Sequence, residues 1–202
     1  MENGELKMTE KESLELIASM INKAKSRVGE TGKLYLLWGW LIFICCTVQF
    51  VGLQFFHFEK TYYVWFLTWV LLIYQVFFLS KERKKSKVKT YTGEIYSFVW
   101  VVFFICMMLV FFIGSYLKKY EMINPVLLVL YGMPTFLSGI ILKFKPLIIG
   151  GIVCWALSII SVFISGEYQL LLFATAVVAA WIIPGYSLNQ IFKKNSIKPE
   201  SK

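Results

Sequence analysis

Long apolar stretches, separated by short charged segments, dominate the chain after residue 33. Six windows of 18 to 23 residues contain no Asp, Glu, Lys, Arg or His. A helix needs about 20 apolar residues to cross a hydrocarbon core about 30 Å thick. The pattern therefore predicts an all-α membrane bundle, residues 34–192, of about six transmembrane helices: Leu34–Phe56, Tyr62–Leu79, Ile95–Leu117, Ile123–Leu142, Pro146–Ile164 and Tyr168–Leu188.

The windows are helical rather than strand-like, because each is continuously apolar, whereas the strands of a membrane barrel alternate. The last window contains Pro184. If its helix ended before this proline, it would be about 24 Å long at 1.5 Å per residue, which is too short to cross. We therefore expect the helix to continue, with a kink, toward Phe192.

A different apolar pattern precedes the first window. Thr9 and Glu12 have the spacing of a helix capping box, and apolar residues then follow in steps of three and four: Leu14, Ile17, Ile21, Ala24 and Val28. These steps place the five residues on one face of a helix. The sequence predicts a cytoplasmic arm, residues 1–33, with an amphipathic helix at about 9–28, after which Gly29 and Gly32 loosen the chain.

The apolar face of the arm has two interpretations. The helix could lie on the inner leaflet or against the cytoplasmic ends of the bundle. It could instead be a docking surface for a second copy of the chain or for another protein. The five residues from Leu14 to Val28 are thus candidate partner-docking residues in the second interpretation.

Composition and charge extend this picture. The chain is 58% hydrophobic and 16% charged, whereas soluble domains are about 25% charged. With six spans and a cytoplasmic N-terminus, 18 of the 21 Lys and Arg residues lie in inside segments. Because basic residues accumulate on the cytoplasmic side, the sequence predicts an inner-membrane protein with a cytoplasmic tail, residues 193–202, and both termini inside.

The loop at residues 81–94 carries six basic and two acidic residues. Next to a membrane, such a segment attracts anionic lipid headgroups, or it acts only as a determinant of topology. No recognisable nucleic-acid-binding motif accompanies the charge, so we expect the lipid bilayer, and no nucleic acid, as its partner.

Residues for catalysis or metal binding are scarce. The chain has no Asp and a single histidine, His57, beyond the end of the first window. Zinc sites need several His, Cys or carboxylate ligands, and ionisable residues inside spans usually mark coupled transport. The four cysteines all lie in apolar windows, where we interpret them as packing residues. We expect no enzymatic activity, no cofactor and no metal.

Two features of the later windows concern helix packing. Gly150, Cys154 and Ser158 recur every four residues and are candidate helix-packing residues, because small side chains let a neighbouring helix approach closely. Pro134, two residues after Gly132, interrupts the backbone bonding of the fourth window. A broken helix of this kind lines a substrate site in some carriers, and elsewhere it is a packing kink.

The segments Glu12–Ile17 and Leu36–Leu41, within residues 12–45, resemble an uncharacterised family of small bacterial multi-pass proteins with a short cytoplasmic N-terminal helix. The resemblance implies the class of protein and no activity or site residues. The sequence favours a non-enzymatic protein that acts through protein contacts, as an accessory, scaffold or sensor-like subunit. The alternative is a small-solute carrier or the substrate-binding membrane subunit of an importer.

Overall fold

A computed structural model of the protein describes residues 10–85, 91–164 and 166–197, and for some of these, including residues 10–31, the backbone alone. The described residues contain helices and no strand, which confirms the all-α prediction. In chain order the helices are α1 (Glu10–Gln54), a 3-10 helix (Glu59–Trp65), α2 (Phe66–Lys85), α3 (Tyr91–Tyr116), α4 (Tyr120–Ile141), α5 (Lys145–Val162), α6 (Tyr168–Val177), a π-helical turn (Val178–Ile182) and α7 (Ile183–Ile197).

Several of these helices are long and apolar enough to cross a membrane. Within the described residues, the structure contains five such segments, and each overlaps one of the predicted windows: Gly32–Gln54, Ile95–Tyr116, Tyr120–Ile141, Lys145–Val162 and Tyr168–Ile191. Helices of this kind are characteristic of a multi-pass membrane protein.

The second predicted window, Tyr62–Leu79, is not one of the five. The structure divides it between the 3-10 helix and α2, whose apolar part ends at Leu79 and is followed by charged residues. The α-helical apolar part, 66–79, rises only about 21 Å. The 3-10 helix, at about 2.0 Å per residue, adds about 14 Å, so a crossing at this point requires both elements. A count of six spans stays a prediction.

The first helix is longer than the sequence suggested. α1 is one helix of 45 residues, and its membrane-spanning part is the last 23 of them. The expectation that Gly29 and Gly32 loosen the chain is wrong, because the helix continues through both. Gly32 instead allows close packing: a Cβ there would lie 3.0 Å from Cβ of Leu188 and 3.2 Å from the carbonyl oxygen of Gly185, both on α7.

The core lies among α4, α5, α6 and α1. α4 and α5 form an antiparallel hairpin in which glycines meet backbone: a Cβ on Gly151 would lie 2.9 Å from the carbonyl oxygen of Gly132. On the other side of α5, a Cβ on Gly150 would lie 2.7 Å from Cα of Ala180 in the π turn. Because glycine has no Cβ, α5 can make backbone contact with helices on both of its sides at these positions.

The last span passes through Pro184 without ending. Proline has no N–H to donate, and in a regular α-helix its ring would collide with the carbonyl of Ala180, four residues earlier. The π turn Val178–Ile182 comes just before the proline and widens the helix at this point. The helix then continues to Ile197, in agreement with the expected continuation past Pro184; the π turn itself was not anticipated.

Candidate functional site

Seven aromatic rings from α1, α3, α4, α6 and the π turn meet in the bundle and form what we call the aromatic cluster: Tyr35, Tyr96, Trp100, Phe103, Tyr131, Phe173 and Trp181. Tyr131 lies at its centre. Its ring stacks on Trp181 at a centroid distance of 4.8 Å and meets Phe103 and Phe173 edge-on, each at 5.0 Å. Ring quadrupoles favour these stacked and edge-on geometries.

Trp181 is held in place by a short chain of hydrogen bonds. Its indole N–H donates to Oγ1 of Thr135 at 3.0 Å, and the Thr135 hydroxyl donates to the carbonyl oxygen of Tyr131 at 2.8 Å. Trp181 also belongs to the π turn, and π turns inside α-helices occur frequently at functional sites. The stacked pair of Tyr131 and Trp181 is thus a rigid wall of the cluster.

Three polar atoms at the cluster are buried without a hydrogen-bond partner among the described residues: Oη of Tyr35, Nε1 of Trp100 and Oγ of Ser138. Tyr35 is 3% exposed and Ser138 is fully buried. The Tyr35 hydroxyl lies near those of Ser138 and Tyr96, and its ring lies 5.8 Å from that of Trp100. A buried polar atom without a hydrogen-bond partner lowers the stability of the fold by about 1–3 kcal/mol. These three atoms are therefore available to form hydrogen bonds with a bound molecule.

The side of the cluster formed by α3 is thinly covered. No Cα atom of α1 lies within 8 Å of α3 among the described residues, and ring contacts such as Tyr35 with Trp100 bridge the separation. Tyr96, Trp100 and Phe103, the three cluster residues on α3, are only half-buried. Side chains rather than packed backbone therefore close the cluster on this side.

The candidate packing residues Gly150, Cys154 and Ser158 are all buried. Gly150 faces Ala180, as described above, and the Ser158 hydroxyl donates to the carbonyl oxygen of Pro125 on α4 at 2.9 Å. Cys154 is 1% exposed and belongs to the same core as Tyr131. The three residues therefore lie on the part of α5 that packs against its neighbours.

Side chains donate hydrogen bonds to backbone carbonyl oxygens near both prolines of α4. Pro125 removes the helical bond that the carbonyl of Glu121 would accept, and Nε2 of Gln169 donates to that oxygen at 3.2 Å. Pro134 frees the carbonyl of Leu130, and the indole N–H of Trp155 donates to the neighbouring carbonyl oxygen of Val129 at 3.2 Å. These bonds favour the packing interpretation of the kink over an open substrate site.

Gln169 is a residue whose role the sequence reasoning missed. Its Nε2 also donates to the carbonyl oxygens of Ser161 (3.1 Å) and Ile164 (2.8 Å), and its Oε1 accepts from Asn124 (3.3 Å). The side chain joins α4, α5 and α6 at one end of the bundle and is 4% exposed. The available signal was an amide side chain inside an apolar window, which in lipid needs a partner.

Two predicted regions fall outside the described side chains. Leu14, Ile17, Ile21, Ala24 and Val28 belong to the helical backbone of α1, but their side chains are not among those described. The basic loop at 81–94 is likewise described without side chains, and residues 86–90 are not described at all. Lipid contact by this loop stays a prediction.

Other chemistry in the described part of the chain is limited. Cys45, Cys46 and Cys154 are free and buried, and Cys106 is free and half-buried. Within the same residues, no group of three or more His, Cys, Asp or Glu side chains is placed to hold a metal ion. An open groove of about 620 Å³ next to Gly52 and Thr61 has an almost entirely apolar lining, so it lacks the converging polar groups of a specific site.

Comparison with protein-family models, with curated proteins and with solved structures found no match for this chain. The resemblance seen within residues 12–45 therefore stays an expectation drawn from the sequence.

Proposed function

We propose that this chain is a non-enzymatic, multi-pass protein of the bacterial inner membrane that acts through protein contacts, as an accessory, scaffold or sensor-like subunit. Its contact surface is the cytoplasmic part of α1, which carries the five candidate docking residues. The observation that supports this role is the unbroken course of α1 from Glu10 to Gln54, almost twice the length of its membrane-spanning part.

The course of α1 favours docking over a helix that lies flat on the leaflet. Residues 10–31 continue the spanning helix and extend it by about 33 Å, so the arm leads away from the bilayer. Leu188 of α7 packs against Gly32, and α7 has only nine more residues to Ile197, whereas α1 has 22 residues before Gly32. α1 therefore outreaches α7 by about 20 Å.

The docking positions also share the register of the buried face of α1. The same steps of three and four, continued from Val28, reach Tyr35, Ile42 and Cys45, which are at most 3% exposed. A straight helix drifts by about 20° per heptad from such a repeat, or about 60° between Ile21 and Ile42. A partner on this side of the arm would thus meet the same side of the helix that packs in the bundle.

The proposed orientation places both termini and the 81–94 loop in the cytoplasm, and residues 57–61 outside. The support is the distribution of Lys and Arg, with 18 in the inside segments and three in the outside connections. Membrane-impermeant labelling of single cysteines, introduced in a cysteine-free variant, should label residues 57–61 in intact cells and neither terminus. Labelling of a terminus from outside would overturn this orientation.

The docking role is tested with a pair of double variants. Ile17→Glu with Ile21→Glu places two charges on the apolar stripe, and Ser19→Glu with Ser26→Glu places two on the opposite side of the same helix. We expect the first variant to lose stoichiometric partners in pull-downs from native membranes in mild detergent, because burying an unpaired charge is strongly unfavourable. The second should retain them, and both should insert normally, since the spans are unchanged.

Two outcomes contradict the docking role. If the stripe variant keeps the same partners as wild type, the stripe is not the contact surface. If it keeps its partners while its arm becomes sensitive to protease, the stripe lies on lipid or on the bundle instead.

A further inference from the structure

We propose that the aromatic cluster binds a neutral, lipid-soluble molecule whose flat ring carries carbonyl oxygens, which is the chemistry of a quinone head group. Tyr35, Ser138 and Trp100 would donate the hydrogen bonds. This site is separate from the arm, and the inference does not depend on the proposed docking role.

The donors define the chemistry of the ligand. Trp N–H can only donate a hydrogen bond, and the hydroxyls of Tyr35 and Ser138 can donate as well as accept. All three atoms are buried without a partner among the described residues, whereas in proteins at least about 90% of buried polar groups have one. A molecule with carbonyl oxygens supplies the acceptors that these donors lack.

The cluster offers no buried counter-charge for a charged ligand. The membrane-spanning parts of α1, α3, α4 and α6 contain two residues of the Asp, Glu, Lys, Arg and His types: Lys33, which is exposed, and Glu121, which lies in the first turn of α4, away from Ser138. A charge buried without a counter-charge is very costly. The wall of Tyr131 and Trp181 and the edges of Tyr35 and Trp100 suit a flat ring, since aromatic faces stack on one another.

The donors lie at head-group depth. Tyr35 is the fourth residue of the span Gly32–Gln54, Trp100 the sixth of Ile95–Tyr116, and Ser138 the fourth from the end of Tyr120–Ile141. The ring contact between Tyr35 and Trp100, and the position of the Tyr35 hydroxyl near that of Ser138, place all three at the same end of the bundle. A ring bound there leaves its apolar chain directed into the hydrocarbon core, as expected of a molecule dissolved in lipid.

Entry would take place between α1 and α3. The rings fill the cluster in this structure, so binding requires the Trp100 side chain to swing out or α3 to move outward. Only 6% of the residues in the most apolar window of α3 are buried. Among the described residues, no Cα atom of α1 lies within 8 Å of α3, which packs on α4 instead. Movement of α3 away from α1 therefore exchanges contacts with side chains for contacts with lipid, which are similarly apolar.

The test is equilibrium binding of ubiquinone with a single isoprene unit to the full chain in lipid nanodiscs, with empty nanodiscs as background. We expect saturable binding of one molecule per chain. Tyr35→Phe and Ser138→Ala should each weaken binding about fivefold to tenfold, the effect of one lost hydrogen bond. Ser161→Ala is the matched control, because Ser161 Oγ is also buried without a partner but lies outside the cluster.

Two further measurements separate binding from a structural effect. Tyr35→Phe should not lower the melting temperature of the ligand-free protein, and removal of a buried hydroxyl without a partner should raise it. Prenylbenzene, which has the same tail and no carbonyl oxygens, should bind at least tenfold more weakly. Absence of saturable binding, equal binding by all variants, or equal binding of both molecules would each overturn the proposal.

Discussion

The span of α3 and the spans of α4 to α6 are buried by the rest of the chain to very different degrees. In α3, 6% of the residues in the most apolar window are buried, against 50% in α4, 33% in α5 and 56% in the α6–α7 span. α3 is nevertheless the most apolar of the spans. In this protein, apolar character identifies the spans but does not indicate which of them form the core.

The physical reason lies in the solvent. Lipid chains are about as apolar as leucine, so a large apolar side chain gains little when it leaves lipid for the protein interior. α3 consists mainly of Phe, Val, Ile and Met with one glycine in its span, Gly114. α4 and α5 instead contain glycines, serines and prolines, which allow close backbone contact and side-chain hydrogen bonds that lipid cannot replace.

The contrast between the two regions is tested most strongly by adding one methyl group to a glycine in each. Gly150→Ala should lower the free energy of unfolding by about 2–3 kcal/mol, because the new Cβ would lie 2.7 Å from the backbone Cα of Ala180. In Gly114→Ala the Cβ meets only Cγ1 and Cδ1 of Ile123, at 2.7 and 2.8 Å. That side chain can move, and alanine favours the helix over glycine by up to about 1 kcal/mol. Gly114→Ala should therefore lower the free energy of unfolding much less than Gly150→Ala.

Thermal melting in detergent measures both variants. A loss of about 2–3 kcal/mol corresponds to roughly 4–12 °C for a chain of this length. Equal melting temperatures for the two alanine variants would show that α5 does not make closer backbone contact than α3.

Removal of amide side chains gives the next largest effect. Gln169→Leu should cost about 2 kcal/mol, because it leaves the buried carbonyl oxygens of Ser161 and Ile164 without their side-chain donor. The matched variant is Gln75→Leu on α2, where Oε1 accepts one hydrogen bond, from Nε1 of the half-buried Trp38. We expect Gln75→Leu to cost about half as much, and a reversed order in melting experiments would contradict the comparison.

A third pair compares two cysteines. Cys154→Leu enlarges a side chain that is 1% exposed, and such overpacking costs about 1–3 kcal/mol; we expect the lower half of this range. Cys106, on α3, is half-buried. Cys106→Leu makes the same change there and should have little effect on stability, because α3 can shift toward lipid. The two variants differ in position alone, so equal thermal stability would show that the Cys154 side of α5 faces lipid.

The smallest effect is expected on the outer face of α3. Phe112 is 70% exposed, and its side chain should contact lipid both in the folded bundle and in separated helices. Phe112→Ala should therefore change stability by less than about 0.5 kcal/mol. A larger loss of stability in detergent would indicate that another protein surface covers this face.

The sequence alone determined the helical class, most of the span positions and the helical arm, because each of these depends on local apolar length and spacing. It also marked Gly150, Cys154 and Ser158, since small residues at every fourth position have an interpretation in packing whatever the neighbour is. The continuation of the last helix past Pro184 followed from the thickness of a membrane and the rise of a helix.

The aromatic cluster and the Gln169 contacts were decided only by the tertiary structure. Tyr35, Trp100, Ser138 and Trp181 come from four different spans, and nothing in the local pattern of any span shows that their polar atoms meet. The π turn before Pro184 and the division of the second window between two helices were likewise decided only by the tertiary structure. In lipid, apolar pattern specifies that a segment is buried in the membrane, whereas the choice of partners depends on small residues and polar groups whose contacts form between distant parts of the chain.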